Sequence, residues 1–401
     1  MSETQPGIET VQEEVRTWLE ANWDPAWQGQ ALEGPDRIAW LTKVLDAGWA
    51  APQWPKKWFG REYDDARGRV VREEFARVGA FGTGQDRTNL WINTLLAAGT
   101  DELKQQLLPG LMRGEINMCL LYSEPGAGSD LAGVRTSVKR DGDDWVVNGQ
   151  KVWTSGAKTA HYGMLIARTN WEVPKHKGLS FFFLPMNQPG VEVRPLRQVT
   201  NESHFNEVFI TDARAPAANL LGKEGEGWKV LMTALAYERS TMGESARGPR
   251  SGASVEQMAG EDELVALARE AGKLKDPIIR QRLAQVIAWR ELNNLNTERG
   301  KAALSLGTSS SIMSLGKLAM SRILHETARL RTDLLGAHSL LEGSDHPYAE
   351  DANFLSLNAY FTSIGGGTDQ VQRNIIGERV LGLPKEPEVD KDMPFRDVKG
   401  G

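Results

Sequence analysis

The sequence reads as an α+β multidomain protein: an N-terminal helical domain, a middle antiparallel β domain and a C-terminal four-helix bundle. Two observations carry this reading. Apolar residues recur at helical spacing at first, form strand-like runs from about Cys119, and return to helical spacing after Trp228. A single β block between helical blocks also lacks the alternation that a doubly wound sheet requires. The expected domains are residues 1–118, 119–226 and 227–385, followed by a charged, proline-containing mobile tail at 386–401.

In the first domain Ile8, Val11, Val15, Trp18 and Leu19 share one helix face, as do Val70, Val71, Phe75 and Val78. Pro25, Pro35, Pro52 and Pro55 separate these helices, and Thr88 to Met112 is helix-like with an interruption near Gly99. In the middle domain, Trp145-Val146-Val147 and Lys151-Val152-Trp153 flank Asn148-Gly149. That pattern predicts a hairpin, because Asn-Gly accepts the positive φ angles of a type I′ turn. Residues 163–169, 179–186, 191–196 and 207–211 are further strand candidates. In the last domain Leu283, Val286 and Ile287 suit one helix face and Ile312, Leu315, Ala319 and Ile323 another, while Gly248 to Gly260 breaks the pattern.

Composition bounds the function. The 401 residues are 40% hydrophobic and 25% charged, with a net charge of -6, which describes an ordinary globular protein and argues against a nucleic-acid partner. No apolar run approaches the ~18 residues of a membrane span. The acidic start lacks the basic and apolar segments of a secretory signal. The one cysteine, Cys119, excludes an internal disulfide and a cysteine-based zinc site, and its apolar surroundings make it a packing residue in a chain suited to a reducing cytoplasm. The six histidines show no metal-ligand spacing, so no metal is expected.

The richest stretch is Tyr122-Ser123-Glu124-Pro125-Gly126-Ala127-Gly128-Ser129-Asp130-Leu131, followed by Lys151-Val152-Trp153-Thr154-Ser155. Small residues let a ligand approach the main chain, the hydroxyls donate, and Trp153 offers a flat apolar face. A flat, polar-edged, phosphate-bearing ligand suits such a place; a simple turn is the alternative. Gly222 to Gly227 lacks the Lys-Ser/Thr ending of a P-loop.

These two segments resemble the flavin-contacting signature of the acyl-CoA dehydrogenase family, and the resemblance runs from about residue 8 to Pro384. It implies a helical–β–helical fold, FAD as cofactor, and α,β-dehydrogenation of an acyl-CoA thioester to a trans-2-enoyl-CoA. It also implies electron-transfer flavoprotein as electron acceptor, and a homo- or hetero-oligomer, dimer or tetramer. Flavin contacts carry over to Tyr122, Ser123, Gly128, Ser129, Trp153, Thr154 and Ser155, then to Arg280, Gln281, Asp333, Gly336, Thr368 and Gln370. For the last six a capping or structural role is the alternative.

Most of the family takes its base from a Tyr-Glu-Gly-Thr loop, but here that loop reads Ile364-Gly365-Gly366-Gly367-Thr368, with glycine at the base position. Ala236-Tyr237-Glu238-Arg239 resembles the isovaleryl-CoA and long-chain branch, in which a C-terminal-domain helix supplies the glutamate. Glu238 is thereby the expected catalytic base, with a solvated helix face as its alternative. Substrate contacts fall to Ser129, Arg239 and Gly366, the last through its main-chain N–H. The family's pyrophosphate arginine is missing from Ala271-Gly272-Lys273-Leu274-Lys275-Asp276-Pro277, where Lys273 or Lys275 could stand in. The Gly248 to Gly260 break suggests room for a branched, long or polycyclic acyl group. Two other readings stay open: a non-catalytic subunit of a heteromeric dehydrogenase, and a flavin oxidase or monooxygenase.

Overall fold

The computed structural model describes residues 5–245, 262–305, 313–341 and 345–398; Gly248–Gly260 and Ile312 lie outside them. Helices α1 (Ile8–Asn22), α2 (Gly34–Asp46), α3 (Asp65–Arg77), α4 (Gln85–Thr88), α5 (Leu90–Ala98) and α6 (Asp101–Arg113) open the chain. Val11, Val15 and Leu19 form one buried stripe on α1, as side chains four apart must. Pro35 does not separate helices. It sits in the first turn of α2, where its missing N–H has no intrahelical partner to lose. Gly114, at φ 74°, ends α6 in the left-handed conformation that a side chain would resist.

The sheet comprises β1 (Met118–Leu121), β2 (Ser137–Asp141), β3 (Asp144–Lys151), β4 (Tyr162–Arg168), β5 (Leu179–Pro185), β6 (Val191–Leu196), β7 (Phe205–Pro216) and β8 (Leu220–Leu221). Its order is β6-β7-β3-β2-β4-β5-β8, with β1 added beside β4. Pairing is antiparallel apart from β1–β4 and the single β2–β4 pair Ser137–Arg168. Alternate residues of the central strands feed two cores. Met164, Ile166, Phe181 and Phe183 pack with the N-terminal helices, whereas Leu165, Ala167, Phe182 and Leu184 pack with Trp145, Val147 and Val208. Burial on both faces explains why these strands read as continuous apolar runs.

The Asn148-Gly149 hairpin is corrected by the structure. β3 runs straight through both residues, and the turn lies between Asp141 and Asp144. At Asn148 the register against β7 shifts between Val147 and Gly149, a bulge. The Asn148 side chain exchanges hydrogen bonds with Asp212 there, donating to Oδ1 at 2.9 Å and accepting its N–H at 2.9 Å. Gly149 is required by crowding: a Cβ would lie 2.4 Å from Thr136 Oγ1. Short-range sequence pattern cannot separate a bulge glycine from a turn glycine.

After the sheet come α7 (Gly227–Ser245), α8 (Glu263–Glu270), α9 (Pro277–Ser305), α10 (Met313–Leu335), α11 (Ala349–Ile364) and α12 (Asp369–Arg379). Contacts divide the chain into two compact units. One holds the residues through Leu196, Ser203–Thr241 and the residues from Val389; the other holds Arg197–Glu202 and Met242–Glu388. In the second unit α10 is the hub against which α8, α9, α11 and α12 pack, around Leu264, Leu283, Val286, Leu330 and Leu334. No helix among the described residues is long and apolar enough to cross a membrane.

The tail expected to be mobile is docked at Phe395 and Arg396, while Val389 stays exposed. Phe395 is buried, its N–H donates to Val173 O (3.0 Å), and the Arg396 N–H donates to Trp171 O (3.1 Å). One aromatic side chain with a cavity to fill outweighs the polarity of its neighbours, which composition alone does not reveal. Cys119 is buried, and burial pushes its thiol up to about 12.

Candidate active site

The glycine-rich loop begins where β1 ends, at Tyr122. Glu124 and Ala127 exchange N–H to O hydrogen bonds of 3.0 Å each, closing a tight turn around Pro125 and Gly126. A Cβ added at Gly126 or Gly128 would meet nothing within 4 Å, so the space before this backbone is free of protein. Ser129 is exposed beside it and Ser123 half-buried. Tyr122 is buried edge-on to Phe181, at 6.0 Å between ring centroids.

Behind the loop lies a buried ion pair. Lys151 is wholly buried and donates to Tyr122 O (3.0 Å), Ile166 O (2.8 Å) and Glu124 Oε1 (2.8 Å). The Glu124 carboxylate also accepts the N–H groups of Arg135 (2.6 Å) and Thr136 (2.8 Å). Burial pushes the Lys151 ammonium down to about 8, against the pull of Glu124. Burial works to raise the Glu124 carboxyl, but Lys151 and the N–H donors outweigh it and hold it below its ordinary value. Removing a charge from water costs several kcal/mol, a cost offset here because each charge has several partners. Arg168 holds the far end of the loop, donating to Ala132 O (2.6 Å), Val134 O (3.2 Å) and Lys175 O (3.0 Å).

The second segment leaves β3 and strains. Trp153 has φ 62°, a region that bulky residues rarely enter, and is 56% exposed. Its neighbours are pinned on both sides. Val152 N–H donates to Ser123 O (2.9 Å), while Thr154 and Asn206 exchange main-chain bonds of 3.0 Å and the Asn206 side chain donates to Thr154 O (2.8 Å). Strain of about 1–3 kcal/mol held this way is typical of ligand sites. Thr154 is wholly buried, yet its Oγ1 has no partner, and such an orphan costs about 1–3 kcal/mol unless a ligand satisfies it. Ser155 is exposed. An open glycine backbone, an exposed indole and an unmatched hydroxyl suit a flat, polar-edged ligand.

Glu238 and Arg239 lie in α7, and their side chains are outside the described residues. What positions the helix is visible. A Cβ at Gly227 would sit 2.5 Å from the Ser180 backbone, so the glycine seats the helix start directly on β5. Val230, Leu231 and Ala234 then bury against the first core. Glu238 follows three turns on, about 16 Å along the axis.

In the second unit some of the expected cofactor residues are engaged by neighbours outside that set, and others are exposed. Asp333 pairs with Arg282, which also binds Glu326 (2.8 Å). Lys273 donates to the Asp333 carbonyl (2.6 Å), close to Gly336 with its φ of 57°. Arg280 and Gln281 are exposed near the start of α9, and the Arg280 guanidinium reaches Leu274 O at 3.4 Å. Thr368 caps α12, accepting the Val371 N–H at 3.2 Å, and Gln370 is exposed on its first turn. Gly366, at φ 65°, is exposed, and its carbonyl accepts Gln372 Nε2 (3.3 Å). Asp369 ties α12 to α10 through Ser321 (2.7 Å) and Lys317 (3.1 Å).

The structure thus brings together Tyr122, Ser123, Gly128, Ser129, Trp153, Thr154 and Ser155, and separately Lys273, Asp333 and Gly336. Sequence reasoning missed Glu124, Lys151, Arg168 and Asn206. Lys151 carried a signal: with Trp145 and Val147 it occupies the buried parity of β3, where a lysine needs a buried partner.

Comparison with known proteins follows this geometry. The N-terminal, middle and C-terminal domain families of acyl-CoA dehydrogenase match residues 5–115, 119–213 and 225–381. Acyl-CoA dehydrogenase IpdE1 of Mycobacterium tuberculosis is 36% identical over 94% of this chain and 98% of its own length. FadE34 of the same organism is 34% identical over 85% of this chain and 46% of that protein. Among solved structures, the Tcur3481–Tcur3483 steroid ACAD superposes with a TM-score of 0.70 at 28% identity, covering 96% of this chain and all of that one. The ChsE4–ChsE5 complex from Mycobacterium tuberculosis gives 0.65 at 28%, covering 96% and 100%. The chain belongs to the acyl-CoA dehydrogenase family.

Proposed function

We propose that this acyl-CoA dehydrogenase holds FAD at the Tyr122–Ser129 loop and Trp153–Ser155, and that Glu238 abstracts the α proton of the bound thioester. The observation that carries the flavin site is the buried, unpartnered Thr154 hydroxyl beside a strained, exposed Trp153. Bound there, FAD would supply the acceptor for the β hydride. The loop N–H groups and the hydroxyls of Ser123, Ser129, Thr154 and Ser155 would hold the cofactor, and Trp153 would offer it a flat apolar face. The Gly366 N–H, left free of a side chain, donates to the thioester oxygen as negative charge develops there. Electron-transfer flavoprotein is the proposed acceptor. A bulky polycyclic acyl group is the proposed substrate, supported by the similarity to a protein described as a steroid ACAD.

Two measurements test this. FAD titrated into the purified protein should bind with the visible band of a protein-bound flavin, and Glu238→Gln should keep that band while lowering kcat by about 10²–10⁴-fold. Unchanged turnover in Glu238→Gln sinks the base assignment.

A second reading has its own support. With Lys273 on a carbonyl and Arg282 on two carboxylates, the second unit presents a weakened cation set for a pyrophosphate, and both structural neighbours named above are two-component assemblies. In this reading the chain works in a heteromer whose other chain supplies the missing arginine. Co-purification with a paralogous chain, with flavin retained only in the complex, would support it.

A further inference from the structure

The segment 389–398 runs back along the 169–178 connection between β4 and β5, held by the Phe395 and Arg396 N–H bonds and by Arg396–Glu172 at 2.6 Å. Its side chain Phe395 closes over Arg168, the guanidinium carbon lying 3.3 Å from the ring centroid. Arg168 is wholly buried and has no ion pair with a carboxylate among the described residues. Its N–H groups are occupied by the carbonyls of Ala132, Val134 and Lys175, and the ring covers its flat face. Two further ties join strap and loop. Lys175 bridges Asp130 (3.0 Å) and Asp390 (3.5 Å), and Arg135 donates to Val398 O at 3.4 Å. A buried cation faced by an aromatic ring is stabilised well beyond apolar contact.

We propose that Phe395 is a positioning residue: the C-terminal strap locks Arg168 and thereby fixes the 128–134 end of the glycine loop in the form that receives FAD. The strap touches no ligand and acts through Arg168 and Lys175. This rests on the loop being the flavin site, as proposed above.

The experiment compares the full-length protein with Phe395→Leu and Phe395→Tyr. Leucine keeps apolar volume without a ring face, and tyrosine keeps the face. Amide hydrogen exchange over residues 126–134 is read without FAD, and FAD affinity by fluorescence titration. The expected result is faster exchange and about ten-fold weaker FAD binding for the leucine variant. Tyrosine should stay within about two-fold of wild type. Wild-type exchange and affinity in the leucine variant, whatever its melting temperature, would overturn the proposal, as would a tyrosine variant that behaves like leucine. Wild-type protein that binds no FAD would remove the flavin site, while the exchange data still decide the strap. Should the leucine variant fail to fold, Asp390→Asn loosens only the Lys175 latch. A two- to three-fold loss of FAD affinity is then expected, and no change in affinity or exchange overturns the strap.

Discussion

On the β domain the polar groups of the proposed flavin site stand ready. Gly126 and Gly128 face open space, Thr154 Oγ1 is unmatched, and Trp153 is exposed on a strained backbone. At the α9–α10 end of the second unit, by contrast, the charges are matched within the chain: Arg282 to Glu326 and Asp333, Lys273 to a carbonyl. The first region is costly to fold and waits for a ligand. In the second the named charges are paired within the chain, although Arg331 Nε on α10 is also buried without a partner. What separates the two regions is a strained, exposed Trp153 beside an open glycine backbone in the first, against charges already paired in the second.

The harshest way to break the first region is Lys151→Met. Removing one partner of a buried pair leaves the Glu124 carboxylate uncompensated, at about 3–5 kcal/mol, so denaturant midpoint and FAD binding should both collapse. Adding Glu124→Gln should recover much of the stability. If Lys151→Met alone melts like wild type, the pair does not hold the loop.

Raising the pH tests the same pair without mutation. The Lys151 value in the folded protein, about 8, lies below its ordinary 10.5. The unfolded chain thus binds more protons between those values, and the contribution of Lys151 to stability rises with pH across that window. FAD affinity should move the opposite way, weakening above pH 8 as the ion pair that ties the loop discharges. Parallel titrations of melting temperature and FAD affinity, wild type against the double variant, would show that divergence or its absence.

Thr154→Val should separate folding from function more gently. Deleting an unmatched buried hydroxyl stabilises the ligand-free protein by about 1 kcal/mol, while FAD affinity falls by about ten-fold, the worth of one hydrogen bond. A variant that loses stability would show the hydroxyl to be satisfied within the fold.

The smallest effect is expected from Asp333→Gln, which removes the carboxylate that pairs with Arg282. Asp333 is half-exposed and its pair with Arg282 is worth at most about 1 kcal/mol, so stability should barely change. Freeing Arg282 from one carboxylate should tighten FAD binding by roughly two- to five-fold if this chain's own second unit contributes to a flavin site. No change in the protein alone, with tightening only beside a paralogous chain, would favour the heteromeric reading.

Much of this was legible beforehand, and for identifiable reasons. The stripes Val11–Val15–Leu19 and Leu283–Val286 announce helices because a 3.6-residue period has one buried face. The β6 strand 191–196 starts directly after the turn signal Pro189-Gly190. Asn148-Gly149 misled because the same dipeptide serves a bulge, where Thr136 and Asp212, distant in sequence, decide the outcome. Nothing local to Lys151 or Arg168 shows that a glutamate 27 residues away or a phenylalanine in the tail is the partner.

The sequence by itself determined the order of helical and β regions, the loop of small and hydroxyl residues, the loss of the loop carboxylate at Gly366 and the glutamate at 238. These depend on residue type and near-neighbour spacing. Only the tertiary structure decided which charges are buried, that Thr154 lacks a partner while Thr368 is a helix cap, that Trp153 is strained, and that the tail is a strap. Burial, satisfaction and strain depend on what the rest of the chain brings alongside a residue, and that proximity arises from long-range packing.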